Sequence, residues 1–144
     1  MSRRAGTILL EYADLLWNKH DLSAIDTYSS PHGVVHEFPQ SGESRRFSIA
    51  EIRRRVSRIL TEMPDHRMKV LTVVDDDDSV IWSWRIDGTW MLPTGERRRI
   101  DITGASVYYF TDGVITRRSG DADAAGLDFQ LGRTRRLVKL FFPV

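Results

Sequence analysis

Along residues 5–18 the apolar positions Ile8, Leu9, Tyr12, Leu15 and Leu16 recur at helical spacing, which predicts an amphipathic helix with one buried side. A second, short helix is expected over residues 22–28, with Asp21 able to cap it and Ile25 and Tyr28 on one side. After the loop Ser29-Ser30-Pro31-His32-Gly33, residues 34–38 read as a short strand that stops at Pro39, whose ring removes a ladder donor. Ser48 with Glu51 three residues on makes a capping box. Ile49, Ile52, Val56, Ile59, Leu60 and Met63 form the buried stripe of the helix that follows.

Beyond Met68 the period changes to that of strands, expected over residues 68–74, 80–90, 97–110 and 114–119. Turn signals separate them at residues 75–79, at Pro93-Thr94-Gly95 and at Asp112-Gly113, the last a two-residue hairpin signal. Helices followed by antiparallel strands indicate one α+β domain over residues 1–144, a curved antiparallel sheet packed against about three helices. Such a sheet bends into a cone open at one end. Gly88 and Gly104 lie inside strand patterns and are expected to mark the bulges or bends that curve it.

Alternation along the strands nominates side chains for a cavity. Trp82, Trp84 and Trp90 share one face if no bulge intervenes at Gly88; they either grip a flat ligand or fill a core or subunit interface. A two-residue hairpin register places Phe110 opposite Ile115, Tyr108 opposite Arg117 and Ser106 opposite Ser119. Tyr108 and Tyr109 face opposite ways, so one of them can line a cavity and offer a hydroxyl to an oxyanion. Arg117 and Arg118 divide between the faces in the same manner. His36, if inward, supplies an acid or hydrogen-bond donor near neutrality; the alternative is a buried structural histidine. His20, His32 and His66 fall in loop or boundary segments and read as surface residues.

Composition narrows the chemistry. With 144 residues, 41% of them hydrophobic and 28% charged, the chain reads as one globular domain. No apolar run is long enough to span a bilayer and no signal-type stretch follows the start, so a cytoplasmic location without membrane contact is expected. The absence of cysteine removes thiol nucleophiles, disulfides and cysteine-ligated metal. A formal charge of +1 gives no global basic field for nucleic acid. Local clusters such as Arg53-Arg54-Arg55 and Arg117-Arg118 are solvated faces or sites for phosphate or an acidic ligand. No P-loop, dinucleotide fingerprint, zinc-protease motif or Gly-x-Ser-x-Gly elbow is present.

Several segments in order carry a resemblance: Trp17-Asn18-Lys19-His20-Asp21-Leu22, Pro64-Asp65, Asp78 to Trp84 with Gly88-Thr89, and Phe110-Thr111-Asp112-Gly113-Val114-Ile115. Asp123-Ala124-Ala125-Gly126-Leu127 with Gln130-Leu131-Gly132 completes the set. Together they resemble the SnoaL-like polyketide-cyclase family of the ketosteroid-isomerase and nuclear-transport-factor superfamily. The resemblance implies a cone-shaped α+β fold around a deep apolar cavity, a homodimer, no metal or organic cofactor and an apolar small-molecule substrate. It also implies a cyclase or isomerase of a polyketide-like intermediate, with the aspartate matching Asp123 as general acid and base. An epoxide-opening enzyme, either hydrolase or cyclic-ether-forming, and a non-catalytic binding or interaction module are the alternatives on this fold.

A carboxylate in an apolar pocket holds its proton to higher pH and can take and return a carbon-bound proton. Asp123 is equally suited to capping a short helix from Ala124. Asp121 either substitutes for it, shares a proton with it or faces solvent. Trp90, Arg117 and Ser119 stand where the cyclases commonly carry histidine, an acidic residue and tryptophan, so the acid/base partner falls to His36 or a tyrosine. The candidate catalytic set is therefore Asp123, Asp121 and His36. Trp82, Trp84, Trp90, Tyr108, Tyr109, Phe110 and Arg117 are the candidates for substrate contact.

Overall fold

The structure, a computed structural model, describes residues 4–39, 41–122 and 130, the side chains of Asp121 and Ala122 excepted. Helix α1 (Ala5–Ala13) buries Ile8, Leu9 and Tyr12, then widens into a π-helical turn, Asp14–Asn18, where the Lys19 N–H donates to the Asp14 carbonyl at 2.9 Å. That wider turn brings residue 17 round towards the side of residue 12. Helix α2 (Ser23–Tyr28) begins where Asp21 Oδ1 accepts the Ser23 N–H at 3.0 Å and its hydroxyl at 2.6 Å. Helix α3 (Ile49–Glu62) starts on Ser48, whose Oγ accepts the Glu51 N–H at 3.1 Å. The box is half made, because the Glu51 carboxylate pairs with Arg45 at 2.5 Å.

Six strands form one sheet in the order β2-β1-β6-β5-β4-β3, with β1 Val34–Phe38, β2 Glu43–Phe47, β3 Arg67–Asp75, β4 Ser79–Met91, β5 Arg97–Thr111 and β6 Val114–Ala122. The sheet is curved, unclosed and mixed, which corrects the all-antiparallel expectation: β1 runs parallel to β6, His36 opposite Arg118. The cause is local. On leaving α2 the chain is tethered to the start of β6, where the Ser30 N–H donates to the Ile115 carbonyl at 2.8 Å, so β1 sets out from the same end as β6. Strand β2 escaped the sequence reading because four of its five residues are polar and exposed, as suits a sheet edge; Phe47 alone is buried.

The bulges do not lie at Gly88 or Gly104. Pairing of β4 with β5 runs unbroken from Met91 and Arg97 to Ser79 and Tyr109. The register shifts instead at Leu71 in β3 and at Thr116 in β6. Gly88 has another task. A Cβ there would lie 2.8 Å from the Met63 side chain and 3.1 Å from Asp65 Oδ1, which accepts the Thr89 N–H at 2.7 Å. The Pro64-Asp65 and Gly88-Thr89 segments thus lock the exit of α3 onto β4. At the β5–β6 hairpin Asp112 and Gly113 both take positive φ, 51° and 79°, as a type I′ turn requires.

The helices cover the inner face, where Leu9, Leu16, Ile25, Met63, Val80, Trp90 and Ile100 are fully buried. Beyond Gly104, the last β5 residue paired with described β6, the Gln130 side-chain amide bonds to the β5 backbone. Gln130 Oε1 accepts the Asp101 N–H at 2.7 Å and Nε2 donates to the Asp101 carbonyl at 2.8 Å. Among the described residues no helix is long and apolar enough to cross a membrane.

Candidate active site

Strand alternation turns Trp82, Trp84 and Ile86 of β4, Ser106 and Tyr108 of β5, and Val34, His36 and Phe38 of β1 inward. Helix α3 offers Ile52, Arg55, Val56 and Ile59 from the opposite side, and α1 with its π turn offers Tyr12 and Trp17. Together with Ile115, Arg118 and a few neighbours they surround a partly open cavity of about 120 Å³. A dry cavity of about 150 Å³ accepts benzene, so the enclosed part of this one has room for roughly one aromatic ring, and its opening leaves the rest of a larger molecule space to extend outward.

Its polar groups are held in defined states. Ser106 Oγ accepts the indole N–H of Trp82 at 2.7 Å and that of Trp84 at 3.4 Å. With both lone pairs engaged, the hydroxyl is left to donate its own proton. His36 belongs to a row that crosses five strands, Val80, Tyr108, Arg118, His36 and Arg45, and its ring lies 4.3 Å from that of Phe47. Burial, and after it the charges of Arg118, Arg55 and Arg45, push the His36 pKa down to about 2. It is therefore a neutral imidazole at physiological pH, one N–H donor and one acceptor. Burial raises the Tyr12 pKa, with Tyr108 adding to the shift and Arg118 and the Ser29 hydroxyl opposing it, so the phenol keeps its proton. Arg118 sets its guanidinium 5.5 Å from the Tyr108 ring centroid and donates to the Gly120 carbonyl at 3.3 Å.

Of the residues singled out in the sequence, His36, Trp82, Trp84 and Tyr108 meet in this cavity. Trp90 shares the face of the other tryptophans but not their surroundings: six residues beyond Trp84, roughly 20 Å along the strand, it is sealed in the core. Phe110 is likewise a core residue outside the cavity wall. The bulge at Thr116 overturns two expected pairs, because Tyr108 faces Arg118 and Ser106 faces Gly120. Arg117 consequently lies on the outer face, 3.2 Å from the Glu37 carboxylate, and Tyr109 is exposed there too. Asp121 pairs its backbone with Ala105, and Asp123 lies outside the described residues.

His66 is not a surface residue. The turn after Pro64 folds it under the π turn, where Nδ1–H donates to the Trp17 carbonyl at 3.0 Å and burial pushes its pKa down to about 4. His20 is half-buried beside it and donates from Nε2 to the His66 carbonyl at 3.1 Å. Tyr12, Ser106, Arg55 and Arg118 are cavity residues that sequence reasoning did not select. Tyr12 and Arg55 were hidden in helical patterns, and Arg118 needed knowledge of the bulge. Among the described residues no group of three or more histidine or acidic side chains is placed to hold a metal ion.

The described geometry, three helices on a curved unclosed sheet with an apolar cavity between them, is that of the cone-like α+β folds. The profile of the SnoaL-like domain matches residues 9–118, and the chain belongs to that family. A polyketide cyclase candidate from Acidithiobacillus ferrooxidans superimposes with a TM-score of 0.74 at 27% identity, over 92% of this chain and 97% of that one. A SnoaL-like polyketide cyclase from Agrobacterium tumefaciens gives 0.73 at 23% identity, over 91% and 100%. An NTF2-like protein from Burkholderia thailandensis gives 0.69 at 24% identity, over 90% and 98%. Among curated proteins none matches the chain.

Proposed function

We propose that this protein is a cofactor-independent enzyme that moves protons on an apolar, polyketide-like small molecule, closing a ring or shifting a double bond. The observation that carries the reading is the convergence of the uncharged His36 ring, the Tyr12 phenol and the Ser106 hydroxyl on one apolar cavity. An enolate forming in that space needs donors where its charge grows. The Ser106 hydroxyl, polarised by two indole N–H groups, and the Tyr12 phenol have that character. Neutral His36 is a weak base, suited to polarising a carbonyl rather than removing a proton. The proton acceptor is assigned to Asp123, which follows Ala122 in the chain and which the resemblance matches to the cyclases' acid/base aspartate, with Asp121 as the alternate carboxylate.

The test needs no natural substrate. Exchange of the α-hydrogens of 2-tetralone in D₂O, followed by NMR, is expected to run faster with the protein than in buffer and to lose that acceleration in Asp123→Asn with the fold intact. A rate equal to buffer refutes the enzyme. An unchanged rate in the variant removes Asp123 from its role. Homodimer formation is part of the proposal, supported by Leu71, Val74, Ile81 and Tyr109 exposed on the outer sheet face. Sedimentation equilibrium at twice the chain mass is expected. Cytoplasmic residence is proposed with it and is tested by cell fractionation.

A further inference from the structure

The cavity wall holds a charge for which a wholly apolar ligand has no use. Arg55 projects from α3 with its guanidinium carbon 4.7 Å from the Phe47 ring centroid, half-buried, and it makes no ion pair with any described residue. Two other arginines of the same helix are matched, Arg53 with Asp26 at 2.5 Å and Arg58 with Glu62 at 3.4 Å, while Arg54 is exposed to water. Glu51, one turn before Arg55, attracts it, yet gives its carboxylate to Arg45. Arg45 adds to the positive field, its guanidinium carbon 4.2 Å from the same Phe47 ring, and Arg118 adds to it from β6.

Burial, followed by the charge of Arg45, lowers the Arg55 pKa, which means the guanidinium is held at a cost in solvation. A guanidinium forks its N–H groups in the plane that matches a carboxylate, and two parallel bonds of that kind are strong when partly desolvated. Trp82 and Trp84 line the same cavity with their rings 6.3 Å apart, so the acid would be borne on a flat, unsaturated body.

We propose that the ligand of this cavity is an aromatic or similarly flat carboxylic acid, its ring against Trp82 and Trp84 and its carboxylate on Arg55. The inference rests on the cavity being the substrate site and adds the charge class of the substrate. It also gives the reaction a fixed orientation, because an anchored carboxylate leaves the far end of the molecule for the Ser106 and Tyr12 hydroxyls.

The experiment compares 2-naphthoate with its neutral counterpart 2-naphthamide by ligand-observed NMR titration, on the full chain, in Arg55→Gln, in Arg55→Lys and in the surface control Arg53→Gln. Loss of one charged partner of a carboxylate typically weakens binding by about tenfold or more. The expected result is a preference for naphthoate of about tenfold in the unmodified chain and in Arg53→Gln, falling to near unity in Arg55→Gln and to an intermediate value in Arg55→Lys. Equal binding of acid and amide by the unmodified chain overturns the acid class while leaving the cavity as the substrate site. A preference that survives Arg55→Gln overturns the assignment to Arg55. Binding of neither probe overturns the inference together with the site on which it rests.

Discussion

Ser106 Oγ accepts the Trp82 indole N–H at 2.7 Å, and the two residues lie directly opposite each other on β5 and β4. The bond joins the floor of the cavity to its wall. Ser106→Ala would leave the Trp82 indole donor buried without its acceptor and weaken the position of Trp84 as well. The expected loss is about 1–3 kcal/mol in urea unfolding, the usual cost of one unsatisfied buried group. Ser106→Thr, which keeps the hydroxyl, should lose less.

His36 and His66 both have pKa values far below that of a histidine in an unfolded chain. Between pH 6.5 and about 4 the unfolded state therefore binds protons that the folded state refuses, so stability is full above pH 6.5 and falls as the pH drops. The expected limit is about 1.4 kcal/mol per pH unit for each histidine. His36→Phe, which preserves the stack on Phe47, should remove about half of the slope in this window, as measured by urea unfolding at a series of pH values. A slope that does not change would show that His36 titrates normally in the folded chain.

Arg117 and Arg118 are adjacent in sequence and opposite in position. Arg118→Gln should reduce naphthoate binding by about fivefold or more, since a guanidinium at the cavity wall is lost. Arg117→Gln should stay within about twofold, because its partner Glu37 is on the outer face and exposed pairs contribute little. The two titrations measured side by side check the bulge at Thr116.

Gly88→Ala places a methyl group 2.8 Å from Met63, which is fully buried, and close to the carboxylate that holds Thr89. Overpacking of this kind costs about 1–3 kcal/mol. Thermal unfolding should show the loss, with Met63→Ala in the same chain relieving part of it.

The hydrophobic pattern made the helices and four long strands legible because each buries one continuous stripe. The stripe of α3 and the alternation of β4 needed no tertiary information. Strand β2 was invisible because Glu43, Ser44, Arg45 and Arg46 face water at an edge, where pairing and not burial makes the strand. The site was half legible. Trp82, Trp84, Tyr108 and His36 followed from parity, but Thr116 inserts one residue and exchanges Arg117 for Arg118, and nothing in Ile115-Thr116-Arg117 announces it. Trp90 shows the complementary error: a common face along thirteen residues of strand is longer than one cavity. His66 was read from its place after Pro64-Asp65, whereas its burial is set by Trp17, distant in the chain.

Trp82 and Trp84 border the cavity while Trp90 is enclosed in the core, and this difference permits the most direct test of the site. In a ¹⁵N-labelled sample the indole N–H resonances of the three residues, assigned by single Trp→Phe variants, are followed as 2-naphthoate is added. The Trp82 and Trp84 signals are expected to shift together and saturably, with that of Trp90 almost unmoved. If the Trp82 and Trp84 signals stay in place through the titration, or Trp90 moves as far as they do, the cavity is not where this protein meets its ligand.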